Sequence, residues 1–455
     1  MTRIRAKKAL VEAGWAADLD VSVAADGRIL AFGPAEGHSD HSVDILLPAP
    51  SNLHSHSFQR AMAGLTEARS PMARDSFWTW RSLMYRFLEQ LKPEQVEIIA
   101  AQVFMEMAEA GYGAVAEFHY LHHAPGGQAY DSIAELAERI ASAAERVGLG
   151  LTLLPVFYEF GGCDGRALQG GQTRFGNSKD RFAQLYDASK KIIAAGAKDW
   201  TLGVAPHSLR AVDMDGLQLS SVLAQGRPFH MHLAEQVVEV EEVKAAMGAR
   251  PVEWVLDNLP IDANSCFIHC TQMTPEETRR LAKSGAVAGL CPITESSLGD
   301  GIFNGKDYAA QRGNMGVGSD SNIHISLWDE LKTLEYSQRL RDRGRAMLAT
   351  RQHSTGRVLF DAVARGGAQA AGRDCGVLKV GAWADLIGIG GDNEFLANRS
   401  DDTLLDSLIF SGGGQKSITD VWSAGRHIVQ NGRHKDRARI AKAFVSVLKQ
   451  LEQDF

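Results

Sequence analysis

The feature that most constrains the fold is a regular alternation of short apolar runs with helical patterns between residues 48 and 322. Eight runs have the length and composition of buried strands, and helical patterns such as DSIAELAERIASAAERVG separate most of them. Eight β-then-α units over about 270 residues favour an α/β fold, the (β/α)8 TIM barrel. The runs are the stretch before His54, AVAEFHY, LTLLPVFY, TLGVAPHS, FHMHLAE, SCFIHC, AVAGLCP and MGVGSDS.

The two ends of the chain have a different pattern, since both are rich in short strand signals. Residues 1–47 contain a hairpin signal at Asp26-Gly27, and the tail contains the strand-like segments VLKVGAWADLIGIG and SITDVWSAGRHIVQNGRH. We expect both ends to form one small composite, β-sandwich-like domain. The predicted organisation is therefore 1–47 with 376–455 as this domain, and 48–375 as the catalytic barrel.

Charge and hydropathy exclude several classes of protein. The formal net charge of −7, from 48 basic and 55 acidic residues, argues against a nucleic-acid binder. The first residues lack the apolar core of a signal peptide, and no apolar run approaches the roughly 18 residues of a membrane span. The five cysteines show no C-x-x-C spacing, which is typical of free thiols. We therefore expect a cytoplasmic protein without membrane or nucleic-acid partners.

Two histidine pairs lie at the ends of predicted strands. His54 and His56 are two residues apart, so that in an extended segment both imidazoles point the same way and form half of a zinc site. On the order of one such pair is expected by chance in this composition. In the second pair we assign His232, nearer the strand end, as the candidate ligand, and His230 to the barrel interior.

Three further polar residues end predicted strands or follow them directly. Glu235 comes three residues after His232, where a carboxylate can shuttle protons without binding a metal. Alternation in CFIHC places His269 opposite both cysteines, and Asp320 can complete a zinc site or accept a proton from an attacking water. Each residue has an ordinary structural explanation when it is taken alone. Together, five metal-type residues at the ends of four runs predict a metal site.

These residues resemble the pattern of the amidohydrolase superfamily. In that family H-x-H follows strand one, histidines end strands five and six, and aspartate ends strand eight; the segment HLAE resembles the H-x-x-E of its deaminase branch. The resemblance implies that His54, His56, His232 and Asp320 hold zinc. It implies one Zn2+ per chain, because no lysine ends strand three or four to bridge two metals.

A narrower resemblance, to the formimidoylglutamate deiminases, rests on the segments NLHSHSFQRAMAGL, FWTWRSLMYRF, EFHYLHH, APHSLRAV, HMHLAEQ and GSDS. It implies hydrolysis of N-formimidoyl-L-glutamate to N-formyl-L-glutamate and ammonia in histidine degradation. Glu235, His269 and Asp320 would then transfer protons and orient the water. The small dicarboxylate substrate would be held by Gln59, Arg81, Tyr120, His207 and Arg210.

Several questions stay open at the level of the sequence. GSDSNIHISL departs from the family, in which Ser-Asp-Ser runs directly into His, so Ser321 and His324 have no assigned role. The glycine-rich segment 160–177 is predicted to be a loop over the barrel mouth, either a substrate lid or a disordered surface loop. The alternative functions are a deaminase of a purine, a pterin or an s-triazine, and a non-catalytic barrel scaffold. A homodimer is compatible with the sequence.

Overall fold

A computed structural model of the protein describes residues 1–69 and 75–454. In this part of the chain the strands are β1 (Thr2–Val11), β2 (Gly14–Val23), β3 (Ile29–Pro34), β4 (His41–Pro48), β5 (Ser51–Ser55), β6 (Ala114–His119), β7 (Gly150–Phe157), β8 (Thr201–Leu202), β9 (Ala205–Pro206), β10 (Phe229–Leu233), β11 (Ser265–His269), β12 (Val287–Leu290), β13 (Asn314–Val317), β14 (Leu386–Ile389), β15 (Ile418–Ser423), β16 (Arg426–Gln430) and β17 (Arg433–His434).

The helices of the same residues connect and cover these strands. They are α1 (Phe77–Leu88), α2 (Pro93–Glu109), α3 (Glu135–Val147), α4 (Lys179–Ala195), α5 (Met214–Ala224), α6 (Val237–Met247), α7 (Pro251–Asn258), α8 (Pro275–Lys283), α9 (Pro292–Leu298), α10 (Gly305–Ala310), α11 (Leu327–Asp342), α12 (Thr355–Ala370), α13 (Asp402–Phe410) and α14 (Arg437–Asp454). None of these described helices is long and apolar enough to span a bilayer.

Local sequence explains where many of the helices begin. Five helices start at a polar side chain whose oxygen accepts the N–H of the residue three positions later, which satisfies a donor that the helix itself cannot pair. These residues are Ser178, Asp213, Thr274, Ser326 and Ser354. Such starts fix the connections that lead from the strand ends into the outer helices.

The central strands form a closed parallel barrel. One sheet runs β5-β6-β7-β8, with β9 also paired to β7, and a second runs β10-β11-β12-β13. Parallel bridges between Val204 and Phe229 and between Ser55 and Asp320 join the two sheets at both edges. Because β8 and β9 occupy one position, the barrel has eight strand positions, and the predicted (β/α)8 barrel is confirmed.

Strands from both chain ends form a second, eight-stranded sheet beside the barrel. Its order is β17-β16-β15-β14-β4-β1-β2-β3, and β4 joins the two groups by pairing parallel with β1 and antiparallel with β14. The predicted contribution of both ends to one β unit is therefore confirmed. We propose that the boundaries of this unit lie at residues 47 and 376.

The chain ends with a helix that the strand pattern of the tail does not indicate. α14 packs on α2, with Ile440, Val447 and Leu451 buried. The side-chain amide of Gln95 donates to Gln450 over 3.3 Å. The last segment therefore packs on the helical layer of the barrel, although it lies within the range 376–455 that we propose for the composite unit.

Candidate active site

Four metal-type side chains meet at the carboxyl ends of the barrel strands. One ligand atom from each of His54, His56, His232 and Asp320 lies within 4.8 Å of the other three. Nε2 of His54 and Nε2 of His56 lie 3.4 and 3.3 Å from Oδ1 of Asp320. Nε2 of His232 lies 3.1 Å from Nε2 of His54, and all four residues are buried. The structure thus brings together the four predicted metal ligands, which we call the His3Asp set.

Backbone groups orient this set. Nδ1 of His56 lies 3.0 Å from the carbonyl oxygen of Phe118, and Nδ1 of His232 lies 3.3 Å from that of His207. A proton on each Nδ1 leaves the lone pair of Nε2 facing the centre. The backbone N–H of Asp320 donates to the carbonyl of His54 over 3.0 Å, which fixes the carboxylate against β5.

The close approach of β13 to β5 requires a glycine. A Cβ atom on Gly318 would lie 2.6 Å from the carbonyl oxygen of His54 and 2.7 Å from its nitrogen. Two residues later Asp320 has φ +45°, a left-handed conformation that is costly for a residue with a side chain. The candidate ligand Asp320 is therefore held in a backbone conformation that the surrounding barrel imposes.

The chemistry of the His3Asp set fits a bound zinc ion. Burial lowers the pKa of His54 to about 3 and that of His56 to about 4, and burial together with the neighbouring imidazoles keeps the pKa of His232 well below its usual value. Burial opposes ionisation of Asp320, but His54, His269 and His56 keep the pKa of this carboxyl below its usual range. Lone pairs of neutral imidazoles that face a carboxylate repel one another unless a cation lies among them. Three imidazole nitrogens and one carboxylate oxygen are a ligand set that Zn2+ prefers.

Glu235 and His269 lie beside the His3Asp set without belonging to it. Nε2 of His269 is 3.6 Å from Oε1 of Glu235 and 3.9 Å from Oδ2 of Asp320. Burial raises the pKa of Glu235 to about 7, so that this carboxyl can hold and release a proton near neutral pH. Burial lowers the pKa of His269, but the charge of Glu235 and a hydrogen bond to Glu295 outweigh burial and raise it.

Glu295 is a site residue that the sequence analysis missed. Its Oε1 lies 3.3 Å from Nδ1 of His269 and accepts the backbone N–H of Cys291 at 2.8 Å. The carboxylate therefore fixes the ring of His269 with Nε2 directed at Glu235 and Asp320. Glutamate in the first turn of a helix is usually explained by the helix dipole, so the sequence of α9 gives no separate signal for this role.

A cavity opens onto the His3Asp set. All five predicted substrate-binding residues line it, together with aromatic side chains that the sequence analysis did not assign. The lining residues are His56, Gln59, Phe77, Trp80, Arg81, Met84, Tyr85, Tyr120, Tyr158, Phe175, His207, Arg210, His232, Glu235, His269, Leu298 and Asp320.

Two guanidinium groups face this cavity from different elements. Arg81 of α1 donates from Nη2 to the hydroxyl of Tyr158 over 3.0 Å and from Nε to the hydroxyl of Tyr85. Arg210 follows β9; it is buried, and its Nε has no hydrogen-bond partner among the described residues. The indole of Trp78 lies 5.5 Å from the guanidinium carbon of Arg81 and 5.9 Å from that of Arg210. The cavity therefore presents two cations in the neighbourhood of the metal-type residues.

The other predicted polar residues are held by contacts within the cavity wall. The side-chain amide of Gln59 donates to the hydroxyl of Tyr120 at 2.7 Å. His207 contacts Ser208, with Nδ1 3.0 Å from Oγ. The imidazole of His207 also packs edge-on against Tyr158, with 4.6 Å between ring centroids. These contacts place polar atoms along an otherwise aromatic wall.

The segment 160–177 is packed against the barrel. Arg174 is fully buried and donates to the carbonyl of His123 at 2.8 Å and to that of Leu91 at 3.0 Å. The next residue, Phe175, lines the cavity. The end of this segment is thus part of the site wall, whereas residues 164–167 are exposed. The substrate lid and the surface loop both stay predictions for the remainder.

The two residues without an assigned role lie apart from the cavity lining. The hydroxyl of Ser321 lies 2.9 Å from that of Thr294. His324 is exposed, and its Nε2 lies 3.0 Å from Oδ2 of Asp329 in the first turn of α11. Both residues therefore support the loop that follows β13.

Comparisons with known proteins agree with this geometry. The sequence pattern of the amidohydrolase family matches residues 45–428. The chain is 46% identical over 459 residues to a formimidoylglutamate deiminase of Pseudomonas aeruginosa, covering 99% of this chain and all of the relative. It is 26% identical to an 8-oxoguanine deaminase of the same organism over 80% of both chains.

Solved structures with the same overall fold are also found. An amidohydrolase from Brucella melitensis superposes with a TM-score of 0.95 at 46% identity, covering 99% of this chain and 100% of that one. An adenosine deaminase from Xanthomonas campestris, solved with bound zinc, superposes with a TM-score of 0.83 at 19% identity, covering 99% and 98%. At such low identity the second likeness shows the fold alone.

Proposed function

The chain belongs to the amidohydrolase family, and we propose that it hydrolyses N-formimidoyl-L-glutamate to N-formyl-L-glutamate and ammonia with one Zn2+ per chain. The observation that carries this proposal is the presence of Arg81 and Arg210 in the cavity that also contains the His3Asp set. The full-length similarity to a formimidoylglutamate deiminase supports it. We further propose that the reaction belongs to histidine degradation in the cytoplasm.

Recognition of the substrate would depend on its two carboxylates. A carboxylate prefers a planar guanidinium, with which it forms paired charge-assisted hydrogen bonds. The buried Arg210 offers an Nε without a partner among the described residues, and Arg81 is already oriented by two tyrosine hydroxyls. We assign one carboxylate to each arginine. Gln59, Tyr120 and His207 would supply further hydrogen bonds to the ligand.

The reaction would replace the terminal nitrogen of the formimidoyl group by oxygen. His54, His56, His232 and Asp320 would hold the zinc, which when bound lowers the pKa of a coordinated water towards about 7. Asp320 would accept a proton as the water oxygen attacks the formimidoyl carbon. Glu235 would deliver a proton to the nitrogen that leaves as ammonia, since its pKa near 7 lets it carry that proton.

His269 would orient the attacking oxygen. Its Nε2 lies between Glu235 and Asp320, and its other nitrogen contacts Glu295 at 3.3 Å. The imidazole can therefore donate a hydrogen bond to the oxygen while the carbon–nitrogen bond breaks. This role needs no movement of the ring, because Glu295 holds it in place.

The alternatives account for the site less well. A purine, pterin or s-triazine would use the aromatic wall but would leave the guanidinium of Arg210 buried without an anionic ligand, which is costly. A non-catalytic scaffold would not require the His3Asp set together with a buried Glu235. We propose no nucleic-acid partner, and the homodimer remains a prediction for sedimentation analysis.

The direct test is a steady-state assay that follows ammonia release from N-formimidoyl-L-glutamate. Elemental analysis of the same preparation should give about one zinc per chain, because the site has four ligand atoms around one centre. 8-Oxoguanine serves as the control substrate. Turnover of 8-oxoguanine alone, or full activity of metal-free protein, would contradict the proposal.

A further inference from the structure

We infer that Glu239 is a positioning residue of the proposed reaction, whose carboxylate holds the turn that carries Glu235. The inference rests on the proposed function for its catalytic consequence. Its structural basis is independent of that function, because it concerns hydrogen bonds of the chain itself.

The first observation is the geometry of the turn after β10. Ala234 has φ +52°, a left-handed conformation that an alanine adopts only at a cost. The two oxygens of Glu239 accept the two successive N–H groups of this turn: Oε1 that of Ala234 at 3.2 Å and Oε2 that of Glu235 at 2.9 Å. Both oxygens of one carboxylate are thus used to hold a strained backbone.

The carbonyl side of the same turn is held from the neighbouring strand end. The backbone N–H of Gln272 donates to the carbonyl of Ala234 at 2.9 Å, and the hydroxyl of Thr271 donates to that of Glu235 at 2.7 Å. With both faces of the turn bonded, the backbone of Glu235 is fixed and its carboxyl is directed at His269. In the described part of the chain, Glu239 is the acceptor for both N–H groups of the turn.

The second observation is electrostatic. Glu239 is 1% exposed and lies in the first turn of α6, while the buried Arg210 faces the substrate cavity. Burial lowers the pKa of Arg210, but the negative charge of Glu239 is the largest influence that raises it. Glu239 therefore supplies negative charge that favours the buried guanidinium. No hydrogen bond joins the two side chains in the described residues, so Arg210 is available for a substrate carboxylate.

A glutamine is the informative replacement at this position. It has nearly the same shape, but it has only one acceptor oxygen and no charge, and its NH2 group would face an N–H. We expect Glu239→Gln to lower kcat about 10- to 100-fold, as is common for groups that orient a catalytic side chain. Zinc content should stay at the wild-type value, because Glu239 does not contact the His3Asp set.

Two controls separate positioning from a general loss of structure. Glu241→Gln removes a carboxylate from an exposed position of the same helix and should change neither kcat nor zinc content. In the double variant Glu235→Gln with Glu239→Gln, activity should lie within about two-fold of that of Glu235→Gln, since residues that act as a unit are not additive. Fully multiplicative losses would show that Glu239 does not act through Glu235.

Hydrogen exchange tests the inference without any substrate. In the wild type the amides of Ala234 and Glu235 should exchange slowly, and Glu239→Gln should speed their exchange about 10-fold or more, whereas Glu241→Gln should not. If Glu239→Gln folds poorly, Glu239→Asp, with its shorter reach, is compared instead. Unchanged exchange at these amides would overturn the inference. Faster exchange in a protein that is inactive on formimidoylglutamate would support the hydrogen bonds of Glu239 to the turn and reject only the proposed function.

Discussion

The buried carboxyl of Glu235 lies near the metal-type residues and, in our assignment, does not bind the metal. We therefore expect Glu235→Gln to retain about one zinc and to lose roughly 10²–10⁴-fold in kcat, the range typical of a general acid or base. The measurement combines steady-state kinetics with elemental analysis of the same preparation. Loss of zinc would identify Glu235 as a ligand, and near-normal turnover would remove it from the mechanism.

A second prediction at the residue scale concerns Arg210. Replacing it with methionine keeps the volume but removes the desolvated cation, so the diacid should lose about 2–5 kcal/mol of binding in the ground state or transition state. KM should rise or turnover should vanish, while zinc remains bound. The exposed Arg345 provides the matched control, as Arg345→Met should be silent.

The choice of substrate checks the same assignment. A formimidoyl amino acid without a side-chain carboxylate should be turned over poorly by the wild type. Equal turnover of both compounds by the wild type would mean that neither Arg81 nor Arg210 binds a second carboxylate.

At the scale of single elements, the approach of β13 to β5 determines whether the His3Asp set can form. A methyl group at Gly318 would lie 2.6 Å from the carbonyl oxygen of His54, so Gly318→Ala must push the two strand ends apart. We expect a loss of about 1–3 kcal/mol in unfolding free energy and weaker zinc binding. Gly33→Ala in β3 is the control, because nothing lies within 4 Å of the added atom. Wild-type melting and zinc affinity for Gly318→Ala would refute this reading.

The strands and helices also show how much of the fold and of the candidate site could be predicted from the sequence. The barrel and the positions of His54, His232 and Asp320 could be predicted, because strand runs end in polar residues at a recurring interval. The roles of Glu239 and Glu295 could not, because each lies in the first turn of a helix, where an acidic residue is ordinary. Glu295 in addition meets its partner His269 only after the barrel closes. Alternation also cannot show that His269 has φ +72°, which turns its ring out of the regular strand pattern. The assignments of the individual site residues remain predictions.

At the scale of the whole molecule, buried charges join the barrel to the composite sheet. Asp199, between α4 and β8, pairs with Arg373 at 2.8 Å and with Arg426 of β16 at 2.7 Å. Arg373 also pairs with Asp385 at 2.6 Å. Burial opposes ionisation of Asp199, but the two arginines outweigh it and lower its pKa to about 2.

This network predicts a particular dependence of stability on pH. Because the pKa of Asp199 is lower in the folded protein than the value of about 4 in an unfolded chain, its stabilisation is complete above pH 4 and is lost as pH falls through 2. The unfolding free energy of metal-free Asp199→Asn should therefore lie about 2 kcal/mol below that of the metal-free wild type at neutral pH and approach it near pH 2. Thermal unfolding at a series of pH values measures this difference. A gap of constant size across this range would show that Asp199 does not contribute through its charge.

The pairing of β4 with β14 also has a consequence for how the protein is made. A ribosome completes β4 before the whole barrel and β14 only after it, so the nascent chain carries an unpaired strand edge while the barrel is made. β4 leads directly into β5 and His54, and the candidate ligand Asp320 follows the last barrel strand, β13. The full set of candidate metal ligands therefore exists only once Asp320 has been made, and until β14 pairs with β4 the growing chain depends on cellular factors that shield exposed strand edges.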